Sequence, residues 1–111
     1  MQNPKFQIEK SNANSQYYFR LRSINGEIIL SSESYYSKQS CIDGIGSVKV
    51  HAPYDNYYDR RDNTGNYTFN LKARNGEIIG RSENYVSSQG RENGISAVKR
   101  DAPIAPTEDL S

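Results

Sequence analysis

The chain of 111 residues contains one cysteine, Cys41, so an intrachain disulfide cannot form and a zinc site built on thiolates is excluded. It contains one histidine, His51, and therefore no second imidazole to complete a metal site or a proton shuttle. Tryptophan is absent. The longest aliphatic run is Ile28-Ile29-Leu30, far short of the roughly 18 apolar residues that a membrane-crossing helix needs. Charge of one sign is also missing: 14 basic residues face 13 acidic ones, for a net charge of +1. Leu, Ile, Val and Phe together number 21, which touches the composition of disordered chains, but such chains also carry a large net charge. Nine tyrosines and three phenylalanines are present instead, and their large side chains predict a folded but thinly cored protein. The opening Met1-Gln2-Asn3-Pro4-Lys5-Phe6 lacks the apolar stretch and cleavage site of a secretory signal, so a cytoplasmic location is expected.

The chief positive feature is a gapless internal repeat. Shifted by 50 positions, Asn25-Gly26-Glu27-Ile28-Ile29 falls on Asn75-Gly76-Glu77-Ile78-Ile79, and residues 17–53 match 67–103 at 19 of 37 positions. Each unit is near the lower size limit for folding alone, which predicts that the copies share one core. Tyr17, Phe19 and Leu21 alternate with Tyr18, Arg20 and Arg22, the period of a half-buried strand, and Tyr67, Phe69 and Leu71 repeat it. Asn-Gly then signals a two-residue type I′ hairpin, which would set Leu21 opposite Leu30 and Ser23 opposite Ile28, with Ile29 on the polar face beside Arg22. A further strand precedes each hairpin, at Phe6–Glu9 and more weakly at Asn56–Asp59. Ser37 and Ser87 suit helix N-caps, Cys41, Ile45 and Val48 follow at helical spacing, and Pro53 and Pro103 stop the helices.

Each unit therefore reads β-β-β-α. The expected fold is α+β, a single domain over residues 1–111 made of two repeats, about 5–53 and 55–103. A flexible, acidic tail is expected over 104–111. The Tyr-x-Phe-x-Leu strand, the Asn-Gly-Glu-Ile-Ile hairpin, the Ser-Glu-x-Tyr-x-Ser segment, Gly-Ile-x-x-Val-Lys and Ala-Pro all occur twice, and together they resemble the YegP family, small bacterial proteins of unknown function. The resemblance implies one continuous antiparallel sheet with both helices packed on it, the segment after each helix crossing to the other unit. It also implies that single-unit members dimerise, so that the two repeats here replace a homodimer in a monomer. Cys41-Ile42 and Arg91 depart from the family pattern, which prefers a small residue there. The family carries no known catalytic residue.

Reading for chemistry yields no catalytic, cofactor or metal site. Ten residues of helix separate Cys41 from His51, ~15 Å of rise and about 1000° of rotation, so they do not form a nucleophile pair. Cys41 reads as a core residue and His51 as an exposed residue near the helix end. Glu27, Glu77, Glu33 and Glu83 are acids kept in both copies, in settings that read as solvated. Gly44 and Gly94 read as close helix-to-sheet contacts. The candidate interaction face is the polar side of the hairpins: Tyr18, Arg20, Arg22 and Ile29 from the first repeat, Asn70, Lys72 and Ile79 from the second. Such a face suits a protein partner. Single-stranded nucleic acid is the alternative, disfavoured because residues 1–52 carry only +2 and residues 53–111 carry −1. A small-molecule site between the repeats is a third reading, and no membrane partner is expected.

Overall fold

A computed structural model describes residues 3–111; Met1 and Gln2, part of the leader reading, lie outside the described residues. The first repeat supplies β1 (Lys5–Lys10), β2 (Tyr17–Arg22), β3 (Ile28–Ser31) and α1 (Lys38–His51). A single 3-10 turn at Asp55–Tyr57 leads into β4 (Tyr58–Asn63), β5 (Asn66–Lys72), β6 (Ile78–Arg81), α2 (Ser88–Asp101) and a last short strand, β7 (Thr107–Asp109). All seven strands form one sheet in the order β4-β5-β6-β3-β2-β1-β7. The repeats join at its centre, where β3 and β6 run antiparallel with Ser31 opposite Arg81.

Both helices cover the same side of this sheet. α1 lies over β2 of its own repeat and over β5 and β6 of the second, while α2 lies over β5 and over β3 of the first. Phe6, Phe19, Leu21 and Leu30 therefore share one interior with Phe69, Leu71, Ile95 and Val98, all buried in a single cluster. Each helix starts where the hydroxyl of Ser37 or Ser87 accepts the backbone N–H of Ser40 or Gly90, at 3.0 Å in both copies.

The repeated Ser-Glu-x-Tyr-x-Ser segment has structural work at each step. Ser32 Oγ accepts the N–H of Phe19 at 2.8 Å, and Ser82 does the same for Phe69 at 2.9 Å, which completes the ladder where the strands part. Tyr35 then exchanges backbone bonds with Tyr17, and Tyr85 with Tyr67, before Ser37 and Ser87 open the helices.

The structure corrects four expectations about the elements, and a fifth about the sheet face is given below. The hairpin loops hold three residues, not two. Gly26 N–H donates to Ser23 O and Ser23 N–H to Glu27 O, with positive φ at Gly26 alone (85°), and the second copy repeats this at Ala73, Gly76 (87°) and Glu77. Asn25 and Asn75 keep ordinary backbone and use their side-chain oxygens to accept the N–H of Glu27 and Glu77 at 3.0 Å. Second, β4 starts at Tyr58, because a two-residue turn at Thr64-Gly65 replaces the longer 11–16 loop. Tyr58 thus faces Leu71 as Phe6 faces Leu21, and Arg60 takes the place of Ile8. Third, the tail is built in. Ala105 is fully buried, and β7 pairs parallel to β1, with Phe6 N–H donating to Pro106 O and Leu110 N–H to Ile8 O, each at 2.8 Å, which makes the sheet mixed rather than wholly antiparallel. Fourth, His51 is half-buried and bridges elements, as described below.

Candidate functional site: the open face of the sheet

The side of the sheet away from the helices carries no covering layer among the described residues. Residues opposite one another in an antiparallel pair share a face, so the register places Tyr18 beside Glu9, Arg20 beside Gln7, and Arg22 between Lys5 and Ile28. In the second repeat Asn70 lies between Asp59 and Arg81, and Lys72 beside Ile78. Five expected residues, Tyr18, Arg20, Arg22, Asn70 and Lys72, are thus brought to this face.

Ile29 and Ile79 are not among them. With the loop one residue longer, Arg22 pairs with Ile28 while Leu21 still pairs with Leu30, so Ile29 is the extra residue of a bulge and turns inward; it is 5% exposed. The same shift between Leu71 and Lys72 buries Ile79, 8% exposed. The half-buried aliphatics on the open face are Ile28 and Ile78 instead.

The charges on the face are largely answered on the face. Arg20 reaches Glu9 at 3.3 Å and lies over the Tyr18 ring at 5.2 Å. Lys5 and the Gln7 amide both hold Glu108, at 3.4 and 2.8 Å, and that contact with Gln7, then Lys5, keeps the Glu108 carboxyl below its usual range. Arg61 at 2.8 Å and Lys72 at 3.5 Å share Asp59, whose carboxyl is lowered first by the Arg61 hydrogen bond. Arg81 crosses the repeat boundary to Glu33 at 2.6 Å. Arg22 alone of these cations meets no carboxylate among the described residues; its guanidinium donates to Gln7 Oε1 at 2.7 Å and to Gly26 O at 2.9 Å. An open trough of about 510 Å³ runs across the second repeat, lined by Arg61, Asn63, Thr68, Asn70, Ile78 and Arg81.

Two further clefts lie on the helix side, each between a helix of one repeat and the hairpin tip of the other. In the first, His51 Nδ1 lies 2.8 Å from the Ser47 carbonyl, to which it must donate, and Nε2 accepts the Arg74 N–H at 3.1 Å. His51 so pins α1 to the second hairpin, which sequence distance hid. In the other, about 270 Å³, the hairpin Ser23–Glu27 faces Tyr85, Asn93, Gly94 and Ala97. Cys41 is buried, and burial first, then Asp109, pushes its thiol up to about 11, as fits a core residue. No group of three or more His, Cys, Asp or Glu among the described residues could hold a metal ion, and no helix is long and apolar enough to cross a membrane.

A duplicated α+β unit with one bare sheet face, and no gathered catalytic side chains among the described residues, defines the class. The chain belongs to the family described as Domain of unknown function (DUF1508), whose model matches it twice, over residues 12–59 and 62–109. It is 48% identical over 61 residues to the UPF0339 protein YegP of Yersinia pestis, covering 55% of this chain and 54% of that protein; the chain spans about half the length of the first curated relatives it matches. In Treponema denticola a UPF0339 protein matches over 49 residues at 47% identity, 44% of this chain but 83% of that one, which is therefore about one repeat long. Solution structures of a UPF0339 protein from Shewanella oneidensis and of yegP from E. coli, a protein of unknown function, both superpose with a TM-score of 0.90. They are 37% and 39% identical, covering 97% and 99% of this chain and 92% and 95% of theirs. The two-repeat fold read from the sequence is the family fold, and the family indicates no catalytic function.

Proposed function

We propose that the chain is a non-enzymatic binding module of the cytoplasm that holds a protein partner on the open sheet face. The carrying observation is a wide, uncovered face on which half-buried Ile28 and Ile78 lie among charges that are mostly neutralised in place. Mixed charge around aliphatic surface suits another protein. Single-stranded nucleic acid fits less well: Arg20 already covers the Tyr18 ring on which a base would stack, and Glu9, Asp59, Glu108 and Glu33 cancel the positive potential that phosphates require. Structural work done by repeated residues supports the non-enzymatic reading. Gly26 and Gly76 form turns, Ser32 and Ser82 complete ladders, and Ser37 and Ser87 cap helices. On this reading the protein works as a monomer without a cofactor, since each repeat already supplies the other's missing core.

The test is capture from extract of the source cells, with and without nuclease, by the wild type and by Arg22→Glu and Ile28→Asp variants. A nuclease-resistant protein retained by the wild type and lost with both variants is the expected result. Retention that disappears on nuclease treatment or modest salt would assign the face to nucleic acid instead.

A further inference from the structure

Of the acids kept in both repeats, Glu27, Glu77 and Glu83 make no side-chain hydrogen bond or ion pair among the described residues, and the first two each follow a turn that is otherwise bonded. Both lie near a tyrosine of the opposite repeat. Burial first, then the carboxylates of Glu83 and Glu27, holds the Tyr85 phenol above its usual range, and Tyr35 responds in the same way to burial, Cys41, Glu33 and Glu77. The two positions differ in what the adjoining helix presents. Beside the second hairpin, the His51 ring spans from the Ser47 carbonyl to the Arg74 N–H, and the cleft there is shallow, walled by Ser47, His51, Ala73, Arg74 and Asn75. Beside the first hairpin the matching residues are Ala97 and Asp101, and Asp101 turns its carboxylate to Arg100, at 2.7 and 3.0 Å.

This second cleft therefore runs inward, past Glu27, to a floor formed by Ile29, Tyr85 and Gly94. Gly94 makes room for the Tyr85 phenol, which packs directly on it. The cleft's volume of about 270 Å³ lies just below the ~300 Å³ at which drug-sized ligand sites begin, which limits it to a compact ligand. Its floor is apolar and aromatic, Arg100 at its mouth is neutralised by Asp101, and the one uncompensated charge on its wall is the Glu27 carboxylate. We propose that this cleft is a binding site for a compact aromatic amine or protonated nitrogen heterocycle, its ring over Tyr85 and Ile29 and its cationic nitrogen on Glu27. The Tyr85 ring adds attraction for a cation lying against it.

The probe is benzylamine, with benzyl alcohol as its uncharged counterpart, titrated into the 15N-labelled protein. Saturable amide shifts clustered at Ile24, Asn25, Gly90 and Gly94, with a Kd on the order of 1 mM, are expected. Because Glu27 is solvent-exposed, Glu27→Gln should weaken benzylamine only about two- to five-fold. Glu77→Gln should leave it unchanged, and benzyl alcohol should bind wild type and Glu27→Gln alike. Shifts that are scattered or do not saturate would overturn the site. Equal binding of the two probes to the wild type, or equal effects of Glu27→Gln and Glu77→Gln, would overturn the role of Glu27. Loss of the open-face partner would not bear on either outcome, since none of these residues lies on that face.

Discussion

Gly44 and Gly94 set how closely each helix approaches the sheet. A Cβ built at Gly44 would fall on the Tyr35 phenol, 2.8 Å from Cζ, and 3.2 Å from Phe19 Cε2, and Gly94 meets Tyr85 in the same way. Both tyrosines sit against the core, Tyr35 stacked on Phe19 with centroids 6.3 Å apart. Gly44→Ala should therefore destabilise by roughly 1–3 kcal/mol through overpacking, despite the helix propensity it gains. Adding Tyr35→Phe, which removes the colliding oxygen, should recover part of the loss. Urea unfolding of the two single variants and the double decides it, and a Gly44→Ala protein as stable as the wild type would refute the close packing. Much at this scale was legible in the sequence. Close helix-to-sheet approach at Gly44 and Gly94, the serine caps and a buried Cys41 all follow from residue type at a known position. His51 was not, because its partner Arg74 N–H lies on the other repeat, and nothing in the local sequence brings them together.

Between elements, the two repeats hold their first strands by different chemistry. β1 packs through Phe6 and Ile8 near the buried Cys41 of α1. In the second repeat Arg60 stands at the place of Ile8 and Arg91 at that of Cys41, and ion pairs tie β4 to α2. Arg60 meets Glu92 and Asp55 at 2.9 Å, Lys99 meets Asp55 at 2.7 Å, and Arg91, only 6% exposed at its side chain, is bonded to Asp62 with its guanidinium over Tyr67. Hydrogen bonds from Arg60, then Lys99, lower the Asp55 carboxyl to about 2, and Arg60 chiefly lowers Glu92. Since the folded values lie below the unfolded ones, this contribution is fully present above the usual carboxylate range and is lost as pH falls through the folded values. Amide exchange should therefore show β4 losing protection before the β1 amides that bond to β2 as pH drops from roughly 5 toward 2, since the apolar packing of Phe6 and Ile8 does not titrate. Simultaneous loss in both strands would contradict the ionic tie. The sequence shows Arg60 and Arg91 plainly, but their pairing depends on the two-residue shift of β4, set by a shorter turn. The inward turn of Ile29 was hidden for a similar reason: alternation predicts a face only until a bulge adds a residue.

The molecule as a whole is a duplication that has ceased to be symmetric at its centre. Leu30 and Gly80 are repeat equivalents on the adjoining strands β3 and β6, and a Cβ at Gly80 would come within 2.6 Å of Leu30 Cδ2. One leucine fills the space that two cannot. Gly80→Leu should cost about 1–3 kcal/mol or more, and combining it with Leu30→Gly should restore much of that, as denaturant midpoints would show. An additive double variant would mean the two positions do not share that space. A chain of one repeat, such as the Treponema denticola relative, would set the same residue against itself across a two-fold axis if it paired in this manner. That the halves share one interior was legible in the sequence, because a 50-residue unit has too little core. That the last strand returns to the first was not, since three exposed residues carry no apolar alternation; ladder bonds to β1 hold them, with Glu108 and Asp109 anchored by Lys5, Gln7 and Lys38. That return has a mechanical consequence. Because β1 and β7 run parallel, tension applied to the two ends of the domain drags these strands past each other, so the Phe6–Pro106 and Ile8–Leu110 bonds bear the load together instead of unzipping in turn.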